Sequence, residues 1–184
     1  NGVGVSAKHF AVNNQETFRN GVNAIVSERA FREIYLKGFE IAIKKAQPWT
    51  IMSSYNKING EYASESHKLL TEILRDEWGF QGMVMTDWWG QKDPIAQMQA
   101  GNDMLMPGTE KQVVTLIEAV ESGKLSQEDL NRNTTRVLDL VKKSPAYRNY
   151  PYSNKPDLKA HAQVTREAAT EGFVLLENNG ALPL

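Results

Sequence analysis

The chain has 184 residues, room for one ordinary domain or for part of a larger one. Its 21 Lys+Arg against 22 Asp+Glu leave a net charge of -1, which excludes the concentrated basic surface of a nucleic-acid binder. The 41% of hydrophobic residues, spread along the chain, exclude a disordered acidic tail, and zero Cys excludes a disulfide framework, a thiolate nucleophile and a Cys-based metal site.

Taken in chain order, Val3 to Phe10 is a short apolar stretch that predicts a strand ending in a polar cluster. From Phe31 the apolar or small positions Ile34, Tyr35, Gly38, Phe39, Ala42, Ile43 and Ala46 recur in threes and fours, so this segment predicts the clearest helix. Pro48 stops it, and Thr50 to Tyr55 predicts a second buried strand. Asn59-Gly60 signals a turn. Leu69, Leu70, Ile73, Leu74 and Trp78 mark a second helix closed by Gly79, and Met83 to Thr86 reads as a third strand ending on Asp87-Trp88-Trp89-Gly90. A short helix from Pro94 to Ala100 and a fourth strand over Asp103 to Met106 follow, ended by Pro107-Gly108. Two helices, near 110–121 and 127–142, come next, with Ser126 and Asp129 resembling a capping box.

Strands alternating with helices indicate βα units and a parallel sheet. The polar residues lie just past the carboxyl ends of the predicted strands, where α/β barrels and doubly wound sheets place their sites. A (β/α)8 barrel needs eight such units and about 250 residues, so this chain supplies roughly half of one. Ser144 to Pro156, with three Pro and three Tyr, reads as an ordered linker. A further helix near 158–171 and a terminal strand beginning at Phe173 read as the start of a new unit. No apolar run approaches the length that crosses a bilayer.

Asp87 is the first candidate for chemistry. A carboxylate at a strand tip beside aromatic surface suits a nucleophile or a stabiliser of positive charge, and sugar C–H faces pack well on indole rings. The alternative is an Asp that caps the following helix, with Trp88 and Trp89 as core residues. Lys8-His9 ends the first strand, with Asn13, Asn14, Gln15, Glu16 and Arg19 close behind, a set of donors and acceptors suited to a hydroxyl-rich ligand. Tyr55 and Asn56 hold the corresponding tip of the second strand, where ordinary loop packing is the alternative. His9, His67 and His161 lack ligand-like spacing, so no metal site is expected. No GxxxxGK[ST], GxGxxG or G-x-S-x-G pattern occurs, which leaves phosphate cradling, dinucleotide binding and a serine nucleophile elbow without support.

The strand tips together resemble glycoside hydrolase family 3, a family with many β-glucosidases and β-xylosidases. The resemblance rests on KHFAVNNQE (8–16), SERAFREIYLKGFEIAIK (27–44), IMSSYNKINGEYASES (51–66), LLTEILRDEWGFQGMVMTDWWG (69–90), AGNDMLMPG (100–108) and TREAATEGFVLLENNGALPL (165–184). It implies that Asp87 is the catalytic nucleophile of a retaining hydrolase, forming a glycosyl-enzyme intermediate. It implies that Lys8, His9, Arg19 and Trp88 bind the sugar on the non-reducing side of the cleaved bond, and that Tyr55 orients the nucleophile.

Retaining hydrolysis needs a second carboxyl group about 5 Å from the first. The β-N-acetylglucosaminidase branch carries its acid on a KHFPGHG loop. Here the stretch reads Lys8-His9-Phe10-Ala11-Val12-Asn13-Asn14. The chain therefore resembles the glucosidase/xylosidase branch, whose acid/base Glu lies in a second domain, outside these residues. Glu16 and Glu61 read as structural or outer groups. The expectation is an α/β chain: residues 1–143 the C-terminal half of a (β/α)8 barrel, 144–156 an interdomain linker, and 157–184 the start of an α/β sandwich. The expected activity is exo-acting β-glucosidase, with β-xylosidase or a non-catalytic sugar-binding homologue as alternatives, and needs no cofactor. Expected partners are a β-linked glycoside and the remaining segments of its own domains, with neither nucleic acid nor membrane, and residues 1–184 alone are expected to be inactive.

Overall fold

A computed structural model describes residues 3–90 and 92–183; Asn1, Gly2 and Leu184, at the limits of the expected barrel and sandwich segments, lie outside them. The chain divides into two units, the first ending at Asn149 and the second beginning at Tyr150.

The first unit is built on a parallel sheet of β1 (Ser6–Phe10), β3 (Thr50–Ser53) and β6 (Met83–Thr86), with β3 in the middle. Between β1 and β3 lies β2 (Asn23–Ala24), followed by a helical run made of α1 (Glu28–Ala30), a wide i→i+5 segment Phe31–Tyr35, and α2 (Lys37–Ala46). Between β3 and β6 lie β4 (Lys57–Ile58), β5 (Glu61–Tyr62) and a π-helical segment Lys68–Glu77. Helical connections between parallel strands are the expected βα layout.

The period-two alternation sorts the sheet into faces. Ile51 and Val84 are register partners, both fully buried against Leu70, Ile73, Leu74 and Ile43 on the helical side. One register step further, Lys8, Met52 and Met85 align, which places them on the opposite face. The wide segment Phe31–Tyr35 also changes one expectation. Ile34, assigned to the buried face by its spacing, is 68% exposed, whereas Leu36 is fully buried. The Leu36 N–H donates to the Phe31 carbonyl, 2.9 Å, and the extra residue in that turn rotates the apolar stripe.

Asn59-Gly60 closes the β4–β5 hairpin with φ of 51° and 101°, the pairing that a two-residue type I′ turn demands. The Asn59 side chain also accepts from the Val26 N–H and donates to the Val26 carbonyl, both 2.9 Å, so the turn pins the segment after β2. Strands β2, β4 and β5 form a second small sheet that sequence patterning does not reveal.

The fourth predicted strand is not formed. Residues 103–106 run beside β6 and make one isolated parallel bridge, Met85 with Met104. The Val84 N–H, which a neighbouring strand's carbonyl would take, donates instead to the Asp103 carboxylate, 2.7 Å. Pro107 then has no N–H with which to extend a ladder.

The unit is completed by α3 (Pro94–Ala100), α4 (Glu110–Glu121) and α5 (Gln127–Lys143). Ser126 accepts from the Asp129 N–H, 3.0 Å, but Asp129 bonds the Ser126 hydroxyl, 2.8 Å, rather than reaching back to its backbone. The reciprocal capping box is Thr109 with Gln112, whose side chain is one methylene longer.

Gly82, immediately before β6, has no room for a side chain: a Cβ would lie 2.4 Å from the Trp49 carbonyl oxygen and 2.6 Å from the Phe80 ring. Gly82→Ala is expected to cost about 1–3 kcal/mol. Urea denaturation of the complete polypeptide should show a lower midpoint, and an unchanged midpoint would contradict this packing.

The second unit contains α6 (Leu158–Gly172), capped by the Asp157 carboxylate, which accepts from the Ala160 N–H, 3.0 Å. The strand expected from Phe173 onward is absent among the described residues. Phe173 to Leu176 find no strand to pair with, and Leu176 is 92% exposed.

Candidate active site

The carboxyl ends of β1, β3 and β6 lie side by side, because Phe10, Ser53 and Thr86 share one register position. The residues at and just past the three strand ends therefore meet above the sheet. The Asp87 N–H donates to the Ser53 carbonyl, 3.2 Å, which continues the ladder one step past β6 and fixes the root of the Asp87 side chain.

Strand β1 carries one residue more than β3 between Lys8↔Met52 and Phe10↔Ser53. That extra residue is His9, and an inserted residue of this kind re-aims a side chain. His9 Nε2 lies 3.4 Å from Asp87 Oδ2. The other carboxylate oxygen, Oδ1, accepts from the Trp88 N–H at 2.6 Å. Asp87 thus has one oxygen held by a backbone N–H and the other facing His9, while its side chain stays 14% exposed.

Neither bland alternative for this cluster fits the structure. The N-cap of α3 is Asp93, whose Oδ1 accepts from the Ile95 N–H, 2.9 Å, so Asp87 caps no helix there. Trp88 and Trp89 are 50% and 62% exposed and are not core residues.

Tyr55 sits nearly buried between the β3 and β6 tips, and its hydroxyl donates to the Trp88 carbonyl. Burial pushes the Tyr55 phenol up from its ordinary value, and the Asp87 charge pushes the same way while Arg19 opposes. Tyr55 therefore keeps its proton and acts as a donor. The Arg19 guanidinium lies over the Tyr55 ring, 5.0 Å from the centroid, and bonds the Glu16 carboxylate at 2.9 Å. Glu16 is thereby an outer partner of Arg19, and Glu61 lies away in the β4–β5 hairpin.

His9, Asp87, Tyr55, Trp88 and Arg19 are thus linked by direct contacts. Lys8 is exposed, makes no ion pair among the described residues, and joins the site only through its place near the β1 tip. Asn56 turns inward, where its amide donates to the Ala11 and Lys57 carbonyls, both 3.2 Å, so it supports the loops. Among the described residues no group of three or more His, Cys, Asp or Glu is placed to hold a metal ion.

Beneath the site lies a layer of buried polar groups that the sequence does not advertise. Asp103, whose side chain is fully buried, binds Arg75 at 2.7 Å and Arg136 at 3.0 Å besides the Val84 N–H. Burial pushes the Asp103 carboxyl up and the Arg75 pKa down to about 10, each against the pull of its partner. Both shifts favour the neutral forms, the mark of a pair whose loss of hydration is large. Asn102 and Gln97, both fully buried, donate to Ser64, and Gln97 also donates to the Gly90 carbonyl, 3.1 Å.

The glycosyl hydrolase family 3 N terminal domain matches residues 1–140. The chain is 48% identical to an exo-alpha-(1->6)-L-arabinopyranosidase of Bifidobacterium breve and 47% identical to thermostable beta-glucosidase B of Acetivibrio thermocellus, over its whole length. It spans 24% of the length of each of these relatives. Among solved structures, beta-glucosidase 3B of Thermotoga neapolitana in complex with glycerol superposes with a TM-score of 0.93 at 51% identity, covering 100% of this chain and 27% of that one. The α/β arrangement of strand tips around Asp87 and the match over residues 1–140 lead to one conclusion: this chain belongs to glycosyl hydrolase family 3.

Proposed function

We propose that this chain is the part of an exo-acting, retaining β-glycosidase that carries the nucleophile, and that its substrate is a terminal β-D-glucoside. The observation that carries the proposal is Asp87 at the β6 tip, with one oxygen on the Trp88 N–H and the other facing His9. In the first step an Asp87 oxygen attacks the anomeric carbon as the aglycone departs, giving a glycosyl-enzyme intermediate with inverted configuration. Water attack on that carbon inverts it again, so the released sugar keeps the β configuration. The acid that protonates the leaving oxygen, and later takes a proton from water, is a Glu of a segment outside these residues.

Lys8, His9 and Arg19 supply donors for sugar hydroxyls, and the exposed Trp88 indole gives the ring a flat apolar wall. Tyr55, kept protonated, steadies the turn that carries the nucleophile. No metal or organic cofactor enters this mechanism. In this reading residues 1–143 belong to the second half of the catalytic barrel, Ser144 to Pro156 links two domains, and residues 157–184 begin the second domain.

The 48%-identical arabinopyranosidase favours a second substrate on the same machinery. An α-L-arabinopyranoside and a β-D-glucoside both present an equatorial leaving group, so the same Asp87 attack serves either sugar. The test is turnover of an aryl β-glucoside and an aryl α-L-arabinopyranoside by the complete polypeptide, with the first-formed sugar followed by NMR. Retention is expected. An inverted first product would overturn the nucleophilic role, and no turnover of any aryl glycoside would favour a sugar-binding protein.

A further inference from the structure

The turn that carries the two tryptophans is strained. Asp87, Trp88, Trp89 and Gly90 form a tight bend closed by the Gly90 N–H donating to the Asp87 carbonyl, 3.2 Å. Within it Trp89 adopts φ 60°, a left-handed conformation that a bulky side chain disfavours. Such a conformation persists only where its surroundings over-determine it. Gly90 packs so closely that a Cβ would sit 3.2 Å from the Asp87 carbonyl oxygen and 3.5 Å from the Tyr55 ring.

Two side chains clamp this bend from behind. One is Tyr55, which donates to the Trp88 carbonyl and faces the site. The other is Gln97, on α3, fully buried, whose Nε2 donates to the Gly90 carbonyl at 3.1 Å and to Ser64 Oγ at 3.0 Å. A carbonyl can only accept, so the orientation of the Gln97 amide is dictated by Gly90. Its other end, Oε1, is buried with no partner, so the side chain is held for what its NH2 group donates. Ser64 in turn ties Gln97 to Asn102, whose Oδ1 accepts from Ser53 Oγ, 3.2 Å, at the strand tip that receives the Asp87 N–H.

We infer that Gln97 is a positioning residue for the nucleophile: through the Gly90 carbonyl it holds the strained Asp87–Gly90 turn in the geometry for attack, although it touches no substrate. The inference rests on the reading of Asp87 as nucleophile. Loss of this clamp lets Trp89 relax toward ordinary backbone angles and moves the Asp87 carboxylate away from the line of attack, at a cost to the chemical step.

The test uses the complete polypeptide and a 2-deoxy-2-fluoroglucosyl fluoride, whose slow second step leaves the sugar on the nucleophile. Peptide mapping of the wild type first establishes whether Asp87 is the labelled residue. Label on another residue would refute the nucleophile reading itself, separately from the role of Gln97. Gln97→Met keeps the volume and removes the donor, and is expected to slow labelling of Asp87 about tenfold, one hydrogen bond's worth. The control is Thr71→Val, which removes another part-buried bond to α3, Thr71 Oγ1 to the Ala100 carbonyl, 2.9 Å, at the end of the helix remote from Gly90. Thr71→Val is expected to lower thermal stability comparably while labelling Asp87 at the wild-type rate. Equal labelling rates for Gln97→Met and Thr71→Val would overturn the inference. Should Gln97→Met fail to fold, Ser64→Ala decides by the same comparison, with an expected slowing of about threefold.

Discussion

Asp87→Gly in the complete polypeptide is expected to lower kcat for an aryl β-glucoside by about 10⁴-fold or more, the scale at which loss of a covalent nucleophile registers. The change removes the carboxylate but leaves the Asp87 N–H on the Ser53 carbonyl, because that bond is made by the backbone. The sheet and its tip are expected to persist, so thermal unfolding should move far less than activity. Azide supplies the decisive control. A small anion can enter the space vacated by the carboxylate and attack the anomeric carbon from the same face. The product would then be a glycosyl azide of inverted, α, configuration, formed in one displacement instead of two. Azide-dependent turnover giving that product is the expected result. A variant that turns over as fast as wild type would refute the assignment outright.

The second large effect concerns stability. Asp103→Leu is expected to destabilise the complete polypeptide by about 3–5 kcal/mol, because it strands the charge of Arg75, whose side chain is only 7% exposed. It also strips the Val84 N–H of its acceptor. Arg136→Gln is expected to cost clearly less, since Arg136 is 23% exposed and Asp103 keeps Arg75 without it. The double change Asp103→Leu with Arg75→Leu should fall well short of the sum of the two single changes, because neither charge is then left alone. Denaturant unfolding monitored through the tryptophans measures the wild type and the four variants. A fully additive double mutant would show that the carboxylate and guanidinium do not depend on one another.

How much of this was legible in the residues follows from where each signal is local. Strand β6 and helix α3 were readable because an apolar run met a turn at one and Asp93-Pro94 opened the other, both short-range signals. The α/β class followed from their alternation. The strand expected over 103–106 failed because its hydrophobic pattern was sound but a side chain, Asp103, had taken the ladder's place. The small sheet leaves no trace in the pattern because strands of two residues have no alternation to show. In the site, Asp87, His9 and Tyr55 stand out by lying at or just past the ends of the predicted strands. Gln97 did not, since a glutamine within a helix reads as a surface residue, and only tertiary packing places its amide behind Gly90. The contact between Arg19 and Tyr55 likewise joins residues far apart in the chain.

The extra residue at His9 has a consequence for how the gene can change. Deleting one residue between Lys8 and Phe10 would make β1 match β3 position for position, an apparent regularisation of the sheet. Phe10 would keep its pairing with Ser53 and its place in the core, because Ala7 and Phe10 would then stand two positions apart on one face; what would be lost is the side chain that faces Asp87. Insertions and deletions are ordinarily absorbed where a chain leaves its sheet. At the end of β1 the core would absorb such a loss and the site would not, so the irregularity of that tip serves the histidine it presents and not the sheet.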